Sequence, residues 1–246
     1  MLLAVLCVTG LAVGLLVGLT GVGGILIPPA LILLSGLEPH EAMGTALASF
    51  LPLGLAGTFM YRRLGHVDWS QAVPYMLGGL AALPGAMINA RINASPLVVL
   101  LASIILFAGV CVLRPPRAGG STFWQGRAGF FFIGAATAFL AGMTGAGGPV
   151  LSIPWMIAAG VSPMTAVGLA MPYQVVTALF GTVGNIQGGH VDFELLPALC
   201  VFETAGFALG VALARRTPTA TLRTLIGGIC CLLGLLLLVR ELSAPF

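Results

Sequence analysis

Gly-Leu-Thr-Gly-Val-Gly-Gly at Gly18–Gly24 returns as Gly-Met-Thr-Gly-Ala-Gly-Gly at Gly142–Gly148, and a short apolar segment follows each copy. Glycines there let one helix stop and the backbone approach a ligand closely. The helix that restarts presents unpaired N–H groups and the positive end of its dipole. Together these attract an anion. Thr20 and Thr144 add hydroxyl donors at matched positions, so the candidate binding set is Thr20, Gly21, Gly23, Gly24, Thr144, Gly145, Gly147 and Gly148. Pro149 falls where the restarted helix should begin, and Pro28-Pro29 within the first turn or so of the other copy, where a missing N–H costs nothing. A single Thr-Gly-x-Gly-Gly is as well explained by close helix packing; two matched copies beside short segments favour a site. The chain has no lysine to complete a P-loop, and no strand–helix unit with a downstream acid to make a dinucleotide turn.

Other polar residues carry weaker signals. Glu203 stands about ten residues into an apolar segment, where an ionised carboxylate costs several kcal/mol unless it is paired or wetted. It is the candidate for proton or cation coupling; the alternatives are a structural partner, to Asn89 or an arginine, and exposure to a water-filled lumen. Gln174 and Asn185, with Tyr173 nearby, could hydrogen-bond an oxyanion. Asp68 and Asp192 sit where new helices begin and read as N-caps, Asp68-Trp-Ser-Gln71 having capping-box spacing. With His66 and His190 two residues earlier, they are also candidates for a pH-responsive gate. Arg91 and Arg215 are matched across the copies as topology anchors or as vestibules that attract anions. The five cysteines lie in apolar runs without a Cys-x-x-Cys pair, so packing roles are expected and neither a disulfide framework nor a zinc site follows. Hydrolase constellations are missing: there is no Gly-x-Ser-Gly or Gly-x-Gly-Asp, and His40-Glu41 lacks a second histidine at the right spacing.

The elements that must hold these residues are membrane helices. Of 246 residues, 59 % are hydrophobic and 7 % charged, and mean hydropathy is +1.10. Such a surface cannot be wetted, which excludes a soluble enzyme, a disordered chain and a nucleic-acid binder. The glycine motifs are the start of a duplication at a constant offset of 124 residues. Gly36, Pro39, Ala42 and Gly44 meet Gly160, Pro163, Ala166 and Gly168, and Gly65-His-Val-Asp68 meets Gly189-His-Val-Asp192. The N-terminal run therefore reads as a structural helix rather than a signal peptide. Five apolar segments are expected per half, at about 2–18, 25–35, 42–61, 71–90 and 97–113, then 128–142, 150–160, 165–186, 194–214 and 221–240. All should be helical, because open strands cannot span a bilayer. The second segment of each half reaches about half of a 30 Å hydrocarbon core and is expected as a half-helix.

Arginines orient the halves. Whether the short segments cross or re-enter, side changes keep the same parity. That parity puts Arg62, Arg63, Arg114, Arg117, Arg127, Arg215, Arg216 and Arg223 on one side, and Arg91 and Arg240 on the other. The positive-inside rule makes the first side cytoplasmic, both termini external and the second copy inverted. The expected fold is a single all-α membrane domain over 1–246, built of two inverted five-segment repeats at about 1–117 and 125–243.

The paired Gly-x-Thr-Gly-x-Gly-Gly motifs, the Gly-x-x-Pro-x-x-Ala-x-Gly elements at Gly36–Gly44 and Gly160–Gly168, and the two Gly-His-Val-Asp loops resemble the TauE/SafE sulfite exporter family, the TSUP permeases, over nearly the whole chain. The family's glycine signature falls on Thr20, Gly21, Gly23, Gly24 and their mates, with Val22 and Ala146 where many members carry further glycine. The resemblance implies a multi-pass protein of the bacterial cytoplasmic membrane that moves sulfite, sulfoacetate or other sulfur oxyanions, with the anion between the glycine breaks. A passive anion channel is the rival reading, because a dipole-lined pore would use the same half-helices. No cofactor, metal or nucleic-acid partner is expected.

Overall fold

The computed structural model describes residues 2–21, 23–113, 122–214 and 219–243, and every regular element among them is helical. Val22, Arg114, Arg117, Arg215 and Arg216 lie outside the described residues, and with them parts of the arginine count and of the Arg91–Arg215 match. The first half comprises α1 Leu2–Thr20, α2 Gly23–Ser35, α3 Pro39–Arg63, α4 Trp69–Asn89 and α5 Ala94–Leu113. A single turn, Thr122–Gln125, leads into the second half: α6 Arg127–Thr144, α7 Pro149–Ala158, α8 Pro163–Gln187, α9 Leu196–Ala214 and α10 Thr219–Ser243. Six helices among the described residues are long and apolar enough to cross a membrane: α3, α4, α5, α6, α8 and α9.

The short segments differ from each other. α7 is a regular helix with Pro149 at its start. α2 opens as a 3₁₀ turn, Gly23–Leu26, passes through one α turn, Ile27–Ala30, and ends as a π turn, Leu31–Ser35. Pro28 and Pro29 withhold two N–H donors there, and Gly36, at φ +71°, ends the segment.

Each half leans on the other. α1 packs on α9, α4 on α6, α3 on α8 and α5 on α10. Small residues make the approach close, as they must where lipid removes the hydrophobic drive between helices. A Cβ on Gly14 or Gly18 would enter the backbone of α9, and one on Gly78 or Gly85 would enter that of α6.

The register of these contacts gives directions. α1 runs parallel to α9, Gly10 facing Glu203 and Gly18 facing Gly210; α4 runs parallel to α6, Gly78 facing Gly134 and Gly85 facing Phe139. α3 and α8 are antiparallel, with Gly44 beside Asn185, Gly54 beside Val175 and Gly57 beside Met171. So are α5 and α10, with Gly109 beside Cys231 and Gly234 beside Leu106.

Two loops fix the ends. Asp192 donates its N–H to Thr45 Oγ1 (2.8 Å), so α9 begins where α3 begins, and α1, parallel to α9, sets out from that same end. α1 and α2 therefore enter and return. His66 O lies over Gly168, so α4 begins where α8 begins, and α6 and α7 likewise enter and return, from the opposite end. Among the described residues, each half is a helical hairpin followed by three long helices. Arg62, Arg63 and Arg127 share one end of the bundle; Arg91 and Arg240 lie at the other.

Candidate functional site

The tips of the two hairpins meet midway along α3 and α8. Gly21 and Gly24 from one tip and Ala146 and Gly147 from the other line a cavity of about 20 Å³, room for about one water. Phe50 and Gln174 complete it, each the twelfth residue of a 25-residue helix. Val17, Leu53 and Met171 make the remaining wall apolar.

Backbone conformation explains the glycines. Gly21 (φ +78°), Gly145 (φ +67°) and Gly147 (φ +76°) are left-handed, where other residues are strained. At matched positions, Gly21 N–H closes α1 on Val17 O (2.7 Å) and Gly145 N–H closes α6 on Ala141 O (2.8 Å). A Cβ on Gly145 would enter the Met43 backbone, and one on Gly148 the Tyr173 ring. Gly23 lies against Leu16 and Val17, on the stem of its own hairpin. In α7 the first turn closes with Ser152 N–H on Gly148 O (3.3 Å), so the amides before it have no earlier helical carbonyl to bond.

Side chains sort less evenly. Thr20 and Thr144 stand beside the tips but do not line the cavity, and their hydroxyls donate back to Leu16 O and Leu140 O (both 2.8 Å). Gln174 is 4 % exposed and its Oε1 has no hydrogen-bond partner among the described residues. Asn185 is not at the cavity: its Nδ2 bonds Gly181 O (2.9 Å), and it lies near the end of α8, beside Gly44. Tyr173 serves packing. It stacks on Tyr75 (centroids 3.8 Å apart) and its hydroxyl bonds Thr137 Oγ1 (2.7 Å) and Gly134 O (2.9 Å), while Tyr75 OH donates to Ser152 Oγ.

Glu203 is fully buried, and among the described residues neither carboxyl oxygen has a hydrogen-bond partner of full geometry. Its backbone seats Gly10 and Gly14, and Ser49 of α3 stands beside its carboxyl, with the Ser49 hydroxyl committed to Ala46 O (2.8 Å). Asn89 is not its partner. That amide takes His40 Nδ1 at 3.0 Å and donates to Met143 O at 2.6 Å.

Asp68 and Asp192 are helix caps. Asp68 Oδ1 accepts from Ser70 N–H (2.9 Å) and Ser70 Oγ (2.7 Å), which holds its carboxyl below the usual carboxylate range; Asp192 Oδ1 accepts from Glu194 N–H (2.8 Å) and Leu195 N–H (3.0 Å). The loops latch the halves together: His66 O covers Gly168, and His190 O covers the matched Gly44. The two loop histidines lie at opposite ends of the bundle. His190 instead stacks on His40, centroids 4.9 Å apart.

One residue of the cavity wall has no place in the sequence reading. Phe50 sits at the repeat mate of Gln174, so the 124-residue offset was a signal that could have found it. His40 and Asn89 were weighed in other roles, and their pairing with each other, with His190 and with Met143 O had no such signal, because these partners come from distant helices.

The sequence profile described as "Sulfite exporter TauE/SafE" matches residues 3–237. Two probable membrane transporter proteins of Bacillus subtilis are similar over nearly their full lengths: YunE, 27 % identical over 94 % of this chain and 95 % of its own, and YdhB, 28 % identical over 92 % and 96 %. A probable membrane transporter protein of Xylella fastidiosa is 29 % identical over 85 % of this chain and 83 % of its own. With a profile match along almost all of its length, on a helical bundle whose glycine breaks converge, this chain belongs to the sulfite exporter TauE/SafE family.

Proposed function

We propose that this membrane transporter carries small sulfur-containing oxyanions, such as sulfite, sulfoacetate or other sulfonates, through the point where the two hairpin tips meet. The observation that carries the reading is the convergence of both glycine breaks on one cavity that Gln174 also lines, its Nε2 donor 3.4 Å from where a Gly147 Cβ would be. Backbone N–H groups and a helix dipole beside a central position walled mostly by apolar side chains favour an anion. Glycine keeps that position open to the anion's oxygens. The cavity has room for about one water, which supports a carrier that closes around its site over an open pore.

The antiparallel pairing of α3 with α8 and of α5 with α10, and the parallel pairing of each first helix with the other half's fourth, support an inverted repeat: a two-fold axis across the helices produces this set of directions. The arginine-rich end is then cytoplasmic in a bacterial inner membrane. Glu203 is the coupling candidate for a proton or cation, and the His66–Asp68 and His190–Asp192 loops are candidates for gates at the two ends.

A titration panel of sulfite, sulfoacetate, sulfate and chloride on purified protein tests the cargo. The sulfur anions are expected to bind and to raise the melting temperature, with chloride far weaker. In proteoliposomes, saturable sulfite counterflow is expected. Single-channel currents would establish the channel instead, and a flat panel would remove the anion reading.

A further inference from the structure

Phe50 has its ring between the two hairpin tips. Its Cε1 edge stands 3.1 Å from where a Gly24 Cβ would be, and its Cε2 edge 3.3 Å from where a Gly147 Cβ would be. Opposite edges of one ring thus touch opposite halves of the site. The residue is 1 % exposed, and the ring has no polar atom through which to be tied down. Gln174 Nε2 approaches the same Gly147 position at 3.4 Å.

Phe50 and Gln174 are repeat mates, so the pseudo-symmetric centre is filled by a ring from one half and an amide from the other. The difference matters because the space is small. About 20 Å³ accommodates one water, whereas an anion of a sulfur atom with three oxygens needs several times that. Gly21, Gly24, Ala146 and Gly147 are already at or near the minimum side-chain size, and the tips are fixed by the Gly21 and Gly145 amides closing on their own helices. The ring is the large group whose departure frees the space. Ser49, next to it on α3, stands beside Glu203, so a shift of α3 that answers the carboxyl also carries the ring.

We propose that Phe50 is the plug of the transport site: its ring holds the gap between Gly24 and Gly147 shut, the anion enters as the ring swings out, and Gln174 is the polar contact that remains to select it. The proposal rests on the oxyanion reading above and specifies how that site closes. Phe50 thereby becomes a specificity-determining residue, since a gap without the ring admits anions that the closed gap refuses.

The test compares wild type, Phe50→Ala and Phe50→Leu in proteoliposomes under an imposed potassium diffusion potential, reading chloride and sulfate leak alongside sulfite counterflow. Melting curves of the purified proteins verify folding. Phe50→Ala is expected to raise chloride leak about tenfold while sulfite accumulation by counterflow collapses, equivalent to lowering a barrier by about 1.4 kcal/mol. Phe50→Leu, which keeps an apolar but narrower group, should fall between the two, and it alone decides the matter if the alanine variant does not fold. A folded Phe50→Leu or Phe50→Ala protein as tight to chloride and sulfate as wild type overturns the plug, whatever the cargo. Leak through the variants with no sulfur-anion binding in wild type would keep the plug and remove the cargo assignment.

Discussion

At the scale of single residues, the two halves solve one packing problem in opposite ways. Where the first half has Ser49 and Gly79, the second has Tyr173 and Glu203 at the same offset. Glu203 stands beside Ser49, and Tyr173 faces Gly79, whose missing Cβ would be 3.4 Å from the ring. Tyr173 spends its hydroxyl on Thr137 and Gly134, so the aromatic member of the exchange is a finished structural contact. The carboxyl is not. A buried acid whose neighbouring polar side chain is a serine hydroxyl shared with Ala46 O is costly to hold for structure alone, because an apolar side chain of the same size would pack there without desolvation. A carboxyl that takes and releases a proton as water reaches and leaves it would tie proton movement to alternating access. Glu203→Gln keeps the shape and removes that exchange. The variant is expected to bind sulfite with wild-type affinity but to lose sulfite accumulation driven by a pH gradient in proteoliposomes. Accumulation that persists under a proton gradient alone would move the coupling elsewhere.

At the scale of elements, the α8–α9 loop docks through a pair of histidines. His190 stacks on His40 at the start of α3, and His40 is joined through Asn89 to Met143 O, directly before the second glycine break. Burial and the His40 ring hold His190 below its ordinary value, with Glu38 opposing; Glu41 and Asp192 are the other titratable groups of this corner. With the docked value depressed, the undocked loop binds more protons. Docking is therefore complete above the ordinary histidine range near pH 6.5 and weakens as pH falls through the docked value. Hydrogen exchange, corrected for intrinsic rates, should show residues 188–192 losing protection between pH 8 and pH 5 on this account. His190→Gln should make protection insensitive to pH, and equal protection of the wild-type loop at both values would leave the stack without a role in docking.

The same scale shows what the sequence could carry. All ten segments were legible, because membrane composition, the constant offset and the glycine punctuation agree. The three-way breakup of α2 was not, since Pro28-Pro29 is compatible with a regular first turn. Gln174 and Asn185 read as one polar pair in the sequence, yet eleven residues on one helix at 1.5 Å per residue separate them by about 16 Å. Only one of them reaches the cavity. Thr20 and Thr144 stand beside the tips, but a threonine within a helix readily turns its hydroxyl onto the carbonyl four residues back, as both do here.

At the scale of the whole molecule, direction follows from parity. α1 and α2 leave from and return to the end where α3 begins; α3, α4 and α5 then cross in turn, and the second half repeats the course from the opposite end. An odd number of net crossings per half brings the end of α10 back to the end from which α1 set out. Arg91 and Arg240 lie there, while Arg62, Arg63 and Arg127 lie at the other end; Arg114, Arg117, Arg215 and Arg216 fall outside the described residues, and sequence order alone groups them, with Arg223, with the latter three. Cytoplasmic loops retain arginine because translocating it is unfavourable, so the eight-arginine end is expected inside the cell and both chain ends outside. Epitopes inserted at Gly65 and at Gly189, in the two matched loops, separate this orientation from its rivals. In intact cells the Gly189 epitope should be labelled and the Gly65 epitope should become accessible only after permeabilisation. The reverse pattern would invert the assignment. Labelling of both from the same side would break the antiparallel relation of the halves, and with it the reading of the two hairpins as entries to one site from opposite faces.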